Sequence, residues 1–193
     1  MDEDKTVPEE KRPSTLRRVW DHVGYLVITA LAVLVLFRVV FLLAYVPSGS
    51  MEPTMPTHSL FLASHLPYLA GDPVPERGDV VIFDSAEFGE VLVKRVIGLP
   101  GDTVSFSDGY VAVNGELLEE DYLPAQGITY PASEGDVFTV PEDAVFVMGD
   151  HRDDSNDGRF WVSPYVPLSD LQGRALVGAA FLPGSAWKGV HLL

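Results

Sequence analysis

Glu90-Val-Leu-Val-Lys-Arg-Val-Ile-Gly98 reads as a β-strand with a chemical anomaly inside it. The run is apolar and rich in β-branched residues, which suit a pleated, buried surface, and Leu-Pro-Gly-Asp102 closes it with a turn. Side chains alternate across a strand, so Lys94 shares a face with Leu92 and Val96, and Arg95 shares the other with Val93 and Ile97. One of the two cations must therefore point toward the packed side. Two readings of Lys94 stand. It is an edge-strand lysine whose stem snorkels to water, as most lysines do. Alternatively, burial disfavours its ammonium and lowers its pKa. A neutral amine of that kind accepts a proton near neutral pH and acts as a general base for a nearby hydroxyl.

The strand signature recurs on both sides. Residues 79–83 (Asp-Val-Val-Ile-Phe) form another apolar, β-branched run, and residues 60–70 suggest a strand with a turn. Residues 104–106 and Tyr110–Val113, joined around Asp108-Gly109, predict a hairpin, and Asn114-Gly115 supplies a second turn. Further strands are expected over 138–140, Ala144–Met148 and 174–182, with loops over 71–77 and 119–136. No stretch in this part shows sustained helical periodicity, and there is no internal repeat. The expectation is a mainly β domain whose strand spacing suits a closed or folded-over sheet.

Before this domain, residues 23–46 are apolar apart from Gly24, Thr29 and Arg38. Twenty-four residues of helix rise roughly 36 Å, enough for a hydrocarbon core of about 30 Å. Arg38, in the last third, either snorkels to the far interface or marks the end of the bilayer. A cleaved secretory signal is the rival reading, but the run is long for one and its removal would delete the anchor. The expected organisation is a charged tail over 1–18, disordered by composition, a transmembrane anchor over 19–46, and an external domain over 47–193. Arg17 and Arg18 directly precede the run and place the amino terminus in the cytoplasm. The formal net charge is −15, and it falls on the far side, where seven bases face 22 acids from residue 39 onward. Such acidity excludes nucleic acid as a partner, because phosphate binding needs a basic face. The absence of cysteine removes disulfides, thiol catalysis and thiolate metal sites.

Where the apolar run ends, Val46-Pro-Ser-Gly-Ser-Met-Glu-Pro-Thr-Met-Pro-Thr57 places two hydroxyls, Ser48 and Ser50, around a glycine. Pro47 and Pro53 favour extended geometry before them, so the stretch predicts a stiff, exposed loop that presents a hydroxyl; an ordinary juxtamembrane linker is the plain alternative. A serine nucleophile needs a base. Of the five histidines only His151, between Asp150 and Arg152, suits a Ser-His-Asp arrangement, and no Gly-x-Ser-x-Gly elbow accompanies it. The polar run 149–159 (Gly-Asp-His-Arg-Asp-Asp-Ser-Asn-Asp-Gly-Arg) has three readings. It is a solvated turn, a support that orients a buried amine, or the start of a calcium loop. For the last, Pro164 occupies the position that should carry the bidentate acid, and no helical pattern flanks it. Arg77-Gly78-Asp79 and the pair His58 and His65 are set aside, the first as a chance tripeptide, the second for want of a third ligand.

Taken together, four stretches in order after one anchor resemble the type I signal peptidases, membrane-bound Ser-Lys proteases that remove signal peptides from exported proteins. They are 47–54 (Pro-Ser-Gly-Ser-Met-Glu-Pro-Thr), 77–83 (Arg-Gly-Asp-Val-Val-Ile-Phe), 94–102 (Lys-Arg-Val-Ile-Gly-Leu-Pro-Gly-Asp) and 149–159. The resemblance implies a compact β-sheet catalytic domain, with Ser50 as nucleophile and Lys94 as general base. It also implies an oxyanion hole from the Ser48 hydroxyl and the Ser50 backbone N–H, and support of the dyad by Ser155, Asp157 and Arg159. His151 stands where the family often has Asn, and Gly158 where it often has Ser. The short interval from Asp102 to Gly149 implies that the large accessory domain of some members is absent. The implied partners are signal-peptide-bearing precursors and membrane lipid, with no metal and no cofactor. Only Pro47, Ser48 and Gly49 separate Ser50 from the apolar run, a reach of roughly 10–14 Å, so the site is expected at the outer membrane surface. Val46, Pro47 and Met51 would line a small apolar pocket suited to side chains such as alanine.

Two other classes are weighed against this one. An inactive membrane-anchored binding domain would keep the fold without the chemistry, and intact Ser50 and Lys94 argue against it. A self-cleaving relative would need a mobile cleavable loop, for which residues 124–133 are the nearest match.

Overall fold

The computed structural model describes residues 15–68, 74–124, 128–180 and 189–192. Two compact units divide near residue 40. The first contains helix α1 (Thr15–Val40). Its segment His22–Val40 has a mean hydropathy of 2.5 and is long and apolar enough to cross a membrane. Two boundaries differ from expectation. Residues 15–18, assigned to the tail, belong to the helix, while residues 1–14 lie outside the described residues. At the other end the helix stops at Val40, six residues short of Val46, and Phe41–Tyr45 is a strand, β1. Hydropathy cannot separate the two, since Phe-Leu-Leu-Ala-Tyr is as apolar as the helix before it; pairing with a partner strand decides.

The second unit is mainly β. A sheet of eight strands contains β1, β2 (Leu60–Ser64), β3 (Val80–Ser85), β4 (Glu90–Gly98) and β9 (Ala144–Met148), followed by β10 (Tyr165–Pro167), β11 (Leu171–Ala180) and β12 (Gly189–Leu192). Its order is β1-β2-β11-β3-β4-β9-β10, with β12 also paired to β11. All these pairings are antiparallel. A second sheet has the order β7-β6-β5-β8, from β5 (Thr103–Ser107), β6 (Tyr110–Val113), β7 (Glu116–Leu117) and β8 (Val137–Thr139). The expected strands are all present. β1, β7, β10 and β12 are additional, and each is five residues or shorter. Residues 181 and 182, the expected end of the last long strand, lie outside the described residues.

Among the described residues the larger sheet does not close, its strand path ending at β1 and β10. It curls instead. Leu42 and Ala44 of β1 and residues 90–94 of β4 line one cleft, with Phe61, Ile82 and Gln172 from the intervening strands contributing to it. Alternation along β3 feeds two cores: Val80 and Ile82 join Met51, Met55 and Phe61, while Val81 and Phe83 join Val96, Val147 and Trp161. A third core, around Ile97, Val104, Val111 and Phe146, binds the second sheet to the first. Both predicted Xaa-Gly turns are present, with Asp108 and Gly109 at φ 53° and 84° and Asn114 and Gly115 at 54° and 85°. Positive φ at both central residues is what a type I′ hairpin turn requires.

Candidate active site

The nucleophile loop is held at its base and across its middle. Val46 and His58 extend the β1–β2 pairing through Val46 N–H to Ser59 O and His58 N–H to Val46 O, each 3.0 Å. Met51 and Met55 are sunk into the core at 2% and 1% exposure. The Glu52 carboxylate accepts from the Thr57 N–H and hydroxyl at 3.1 and 2.9 Å. Those hydrogen bonds, the backbone one first, hold its pKa below the ordinary carboxylate value. A loop tied in this way presents Ser50 half-buried rather than on an exposed tip.

Lys94 Nζ lies 2.8 Å from Ser50 Oγ. Lys94 is only 3% exposed, and burial lowers its pKa to about 8, against the pull of Asp157, Asp150 and Glu90. Of its two readings, burial is therefore the one the structure supports. The parity argument is exceeded, because Arg95 on the opposite face is buried as well, at 7%. Arg95 is held by Asp150 through two bonds of 2.8 and 2.6 Å, donates to Gly78 O at 2.7 Å, and lies 3.8 Å over the Tyr122 ring. A fork-to-fork pair under an aromatic face satisfies a guanidinium that water no longer reaches.

The polar run 149–159 packs directly against the nucleophile. His151 N–H donates to Ser50 O at 3.1 Å, and its ring Nδ1 lies 3.2 Å from Gly49 O. His151 thus engages the loop backbone rather than the Ser50 hydroxyl, and the Ser-His-Asp alternative loses its base. Asp157 pairs with Arg159 at 2.8 Å and accepts the Gly149 N–H at 2.9 Å. Arg159 also donates to Arg152 O and Tyr130 O, at 2.9 and 3.0 Å. With that carboxylate so engaged, the run is a brace buried at Asp157 and Arg159, with Asp153, Asp154 and Asn156 exposed; among the described residues no three His, Asp or Glu are grouped as metal ligands. Ser155 is buried at 5% and its hydroxyl meets no hydrogen-bond partner among the described residues. It lies over Gly149, where a Cβ would stand 2.1 Å from Ser155 Oγ and 2.4 Å from Ser50 O.

Ser48, Ser50, Val46, Pro47 and Met51 all line a cleft of about 420 Å3, with Lys94. Apolar side chains from β1, β2, β3, β4 and the nucleophile loop together make up most of its wall. Residues that sequence reasoning missed lie one layer out. Arg152 binds Glu120 at 2.6 Å and Thr129 at 2.8 Å, and Tyr122 donates to Glu120 at 2.6 Å. Glu120, Tyr122 and Thr129 come from the stretch read as plain loop, and only their convergence on buried arginines distinguishes them. The residues set aside have ordinary partners: His58 with Tyr45, His65 with Gln172 O, Arg77 with Asp102 and Asp79 with Arg174.

A half-buried hydroxyl 2.8 Å from a buried lysine amine, in a cleft with a largely apolar lining, suits acyl transfer. Comparison with known proteins identifies the family. The chain is 37% identical over 175 residues to a probable signal peptidase I-2 of Synechocystis sp., covering 87% of this chain and 77% of that one. It is 31% identical over 183 residues to a probable signal peptidase I-1 of the same organism, covering 91% and 88%. A crystal structure of a signal peptidase I from Enterococcus faecalis is 34% identical with a TM-score of 0.45, covering 52% of this chain and 95% of that one. The family model described as signal peptidase, peptidase S26, matches residues 19–179, from inside α1 to one residue short of the end of β11. The span of that match, with relatives of this identity along most of their length, makes the chain a member of the signal peptidase family, peptidase S26, whose type I enzymes cleave signal peptides.

Proposed function

We propose that this chain is a serine endopeptidase that cuts signal peptides from exported precursors at the outer membrane surface, by a Ser50-Lys94 dyad. The observation that carries it is the 2.8 Å approach of Lys94 Nζ to Ser50 Oγ in a lysine that burial has weakened as an acid-holder. Neutral Lys94 takes the Ser50 proton as Oγ bonds to the scissile carbonyl carbon. The oxyanion so formed accepts from the Ser48 hydroxyl and the Ser50 N–H. Lys94 then returns the proton to the departing amine, the C–N bond breaks, and the mature chain leaves. Water, deprotonated by Lys94, attacks the Ser50 ester, and the serine oxygen leaves with the proton.

The remaining residues serve this pair. Asp157 and Arg159 brace the run that packs on Ser50, and Ser155 backs it at Gly149. Val46, Pro47 and Met51 bound the pocket for the small side chain before the cut. Helix α1 anchors the chain in lipid as a single span with its amino terminus in the cytoplasm, in keeping with Arg17 and Arg18 ahead of the apolar run. The test is cleavage of an Ala-x-Ala precursor by the full chain in detergent. The parent should cleave, and Ser50→Ala and Lys94→Ala should each lose at least about a thousandfold while staying folded. Full activity in Lys94→Ala would discard the dyad.

A further inference from the structure

His151 is bound to the nucleophile loop twice, on two successive peptide groups. Its backbone N–H donates to Ser50 O at 3.1 Å, and its ring Nδ1 lies 3.2 Å from Gly49 O. A carbonyl oxygen only accepts, so Nδ1 carries the proton and donates it. Gly49 O also accepts from the Glu52 N–H at 3.0 Å, within the loop's own turn. The ring is thus the bond that ties this carbonyl to the brace outside the loop.

The carbonyl of Gly49 and the N–H of Ser50 belong to one peptide group. That group is planar and trans, so its oxygen and its hydrogen point in opposite directions. Holding Gly49 O against His151 therefore turns the Ser50 N–H away from the brace. That N–H donates to no group among the described residues. Ser48 and Ser50 line the active-site cleft, whereas Gly49 and His151 do not.

We infer that His151 is a positioning residue of the oxyanion hole: its ring fixes the Gly49–Ser50 peptide group and so aims the Ser50 N–H at the oxygen that becomes negative when Ser50 attacks. The inference rests on the dyad reading above, in which that N–H and the Ser48 hydroxyl receive the oxyanion. A donor set beforehand needs no reorganisation during the reaction, whereas a peptide group free to rock loses part of what its donor contributes. Removing such a donor outright slows acyl transfer by about 100- to 1,000-fold, so one left in place but loosely held should cost about tenfold to thirtyfold.

The test puts two other side chains in place of the ring. Asn carries Nδ2 where histidine carries Nδ1, next to Cγ, and Leu has the same branching with no donor. Both are smaller than the ring, and His151 borders a cavity of about 330 Å3, so neither crowds its neighbours. The full chain in detergent is assayed on a peptide with an Ala-x-Ala cut. His151→Leu should lower kcat about tenfold to thirtyfold with KM within about twofold, and His151→Asn should stay within about threefold of the parent. Affinity for a peptide aldehyde, which forms a hemiacetal on Ser50, should fall with kcat in His151→Leu and hold in His151→Asn. An unchanged kcat in His151→Leu overturns the inference, as does a change in KM alone. So does His151→Asn as slow as His151→Leu, which would make the ring itself and not its donor the requirement. If His151→Leu does not fold, the 15N spectrum of the histidine-labelled parent decides at about pH 9, above the ordinary range of histidine. There the His151 signal, identified by its loss in His151→Asn, should show the proton on Nδ1, and a proton on Nε2 overturns the inference. Ser50→Ala and Lys94→Ala on the same peptide judge the dyad separately: if either cuts at the parent's rate, that reading falls, whatever the His151 variants do.

Discussion

At the scale of single residues, the site rests on one costly placement, an amine kept from water. The pKa of Lys94 falls from an ordinary 10.5 to about 8, chiefly through burial. Its charged form is inactive as a base, so kcat/KM should rise about tenfold per pH unit below about 8 and level above it, as a pH-rate profile will read. The stability consequence has a definite sign. Between about 8 and 10.5 the unfolded chain holds this proton and the folded chain does not, so stability rises with pH through that window. Below about 8 both forms are charged, and the buried ammonium weighs fully against folding. Lys94→Met should therefore abolish cleavage yet stabilise the protein at pH 7, by on the order of 3 kcal/mol from that fall in pKa. Urea unfolding of parent and variant at pH 7 and near pH 10.5 checks it, with the gap shrinking at the higher pH.

At the scale of elements, the loop of Ser50 fits against the brace over 149–159. Gly149 is where they meet, and it is a glycine for lack of room, since a Cβ would press on the Ser50 carbonyl and the Ser155 hydroxyl. Backbone cannot yield cheaply to such a contact. Gly149→Ala should cut kcat by roughly a hundredfold, since a misplacement of about 1 Å at a nucleophile has that effect, with far-UV circular dichroism little changed. The Arg95–Asp150 pair couples the same brace to the strand of Lys94. Asp150→Ala leaves a buried guanidinium unpaired and should cost about 3–5 kcal/mol, measured by denaturant unfolding. None of this shows in one dimension. The strand alternation that marked Lys94 and Arg95 indicates faces, not what covers them: Tyr122, held by Glu120, which also pairs with Arg152, covers Arg95 from a distant loop.

At the scale of the whole molecule, the change from helix to strand at residue 40 sets where the catalytic unit begins. A chain cut at 47, where the apolar run ends, would lose β1, and with it Leu42, Ala44 and Tyr45 from the cleft and the partner of β2. A chain that starts at Val40 keeps them. The longer form should fold and cut a short peptide in detergent, whereas the shorter should lose most activity and aggregate through the bared edge of β2. Peptide cleavage and size-exclusion chromatography of the two forms will tell them apart.

By itself the sequence determined the mainly β character, the positions of most strands, the two Xaa-Gly turns and the presence of a lysine inside an apolar strand. Each of these is written locally, in alternation, in glycine after Asp or Asn, and in a cation inside an apolar run. Tertiary structure alone decided that Phe41–Tyr45 is a strand, that the sheet curls without closing, and that His151 serves the backbone of the loop while Lys94 meets the hydroxyl. The physical reason is that pairing, burial and proximity belong to residues far apart in the chain, and no local pattern encodes the distance between them.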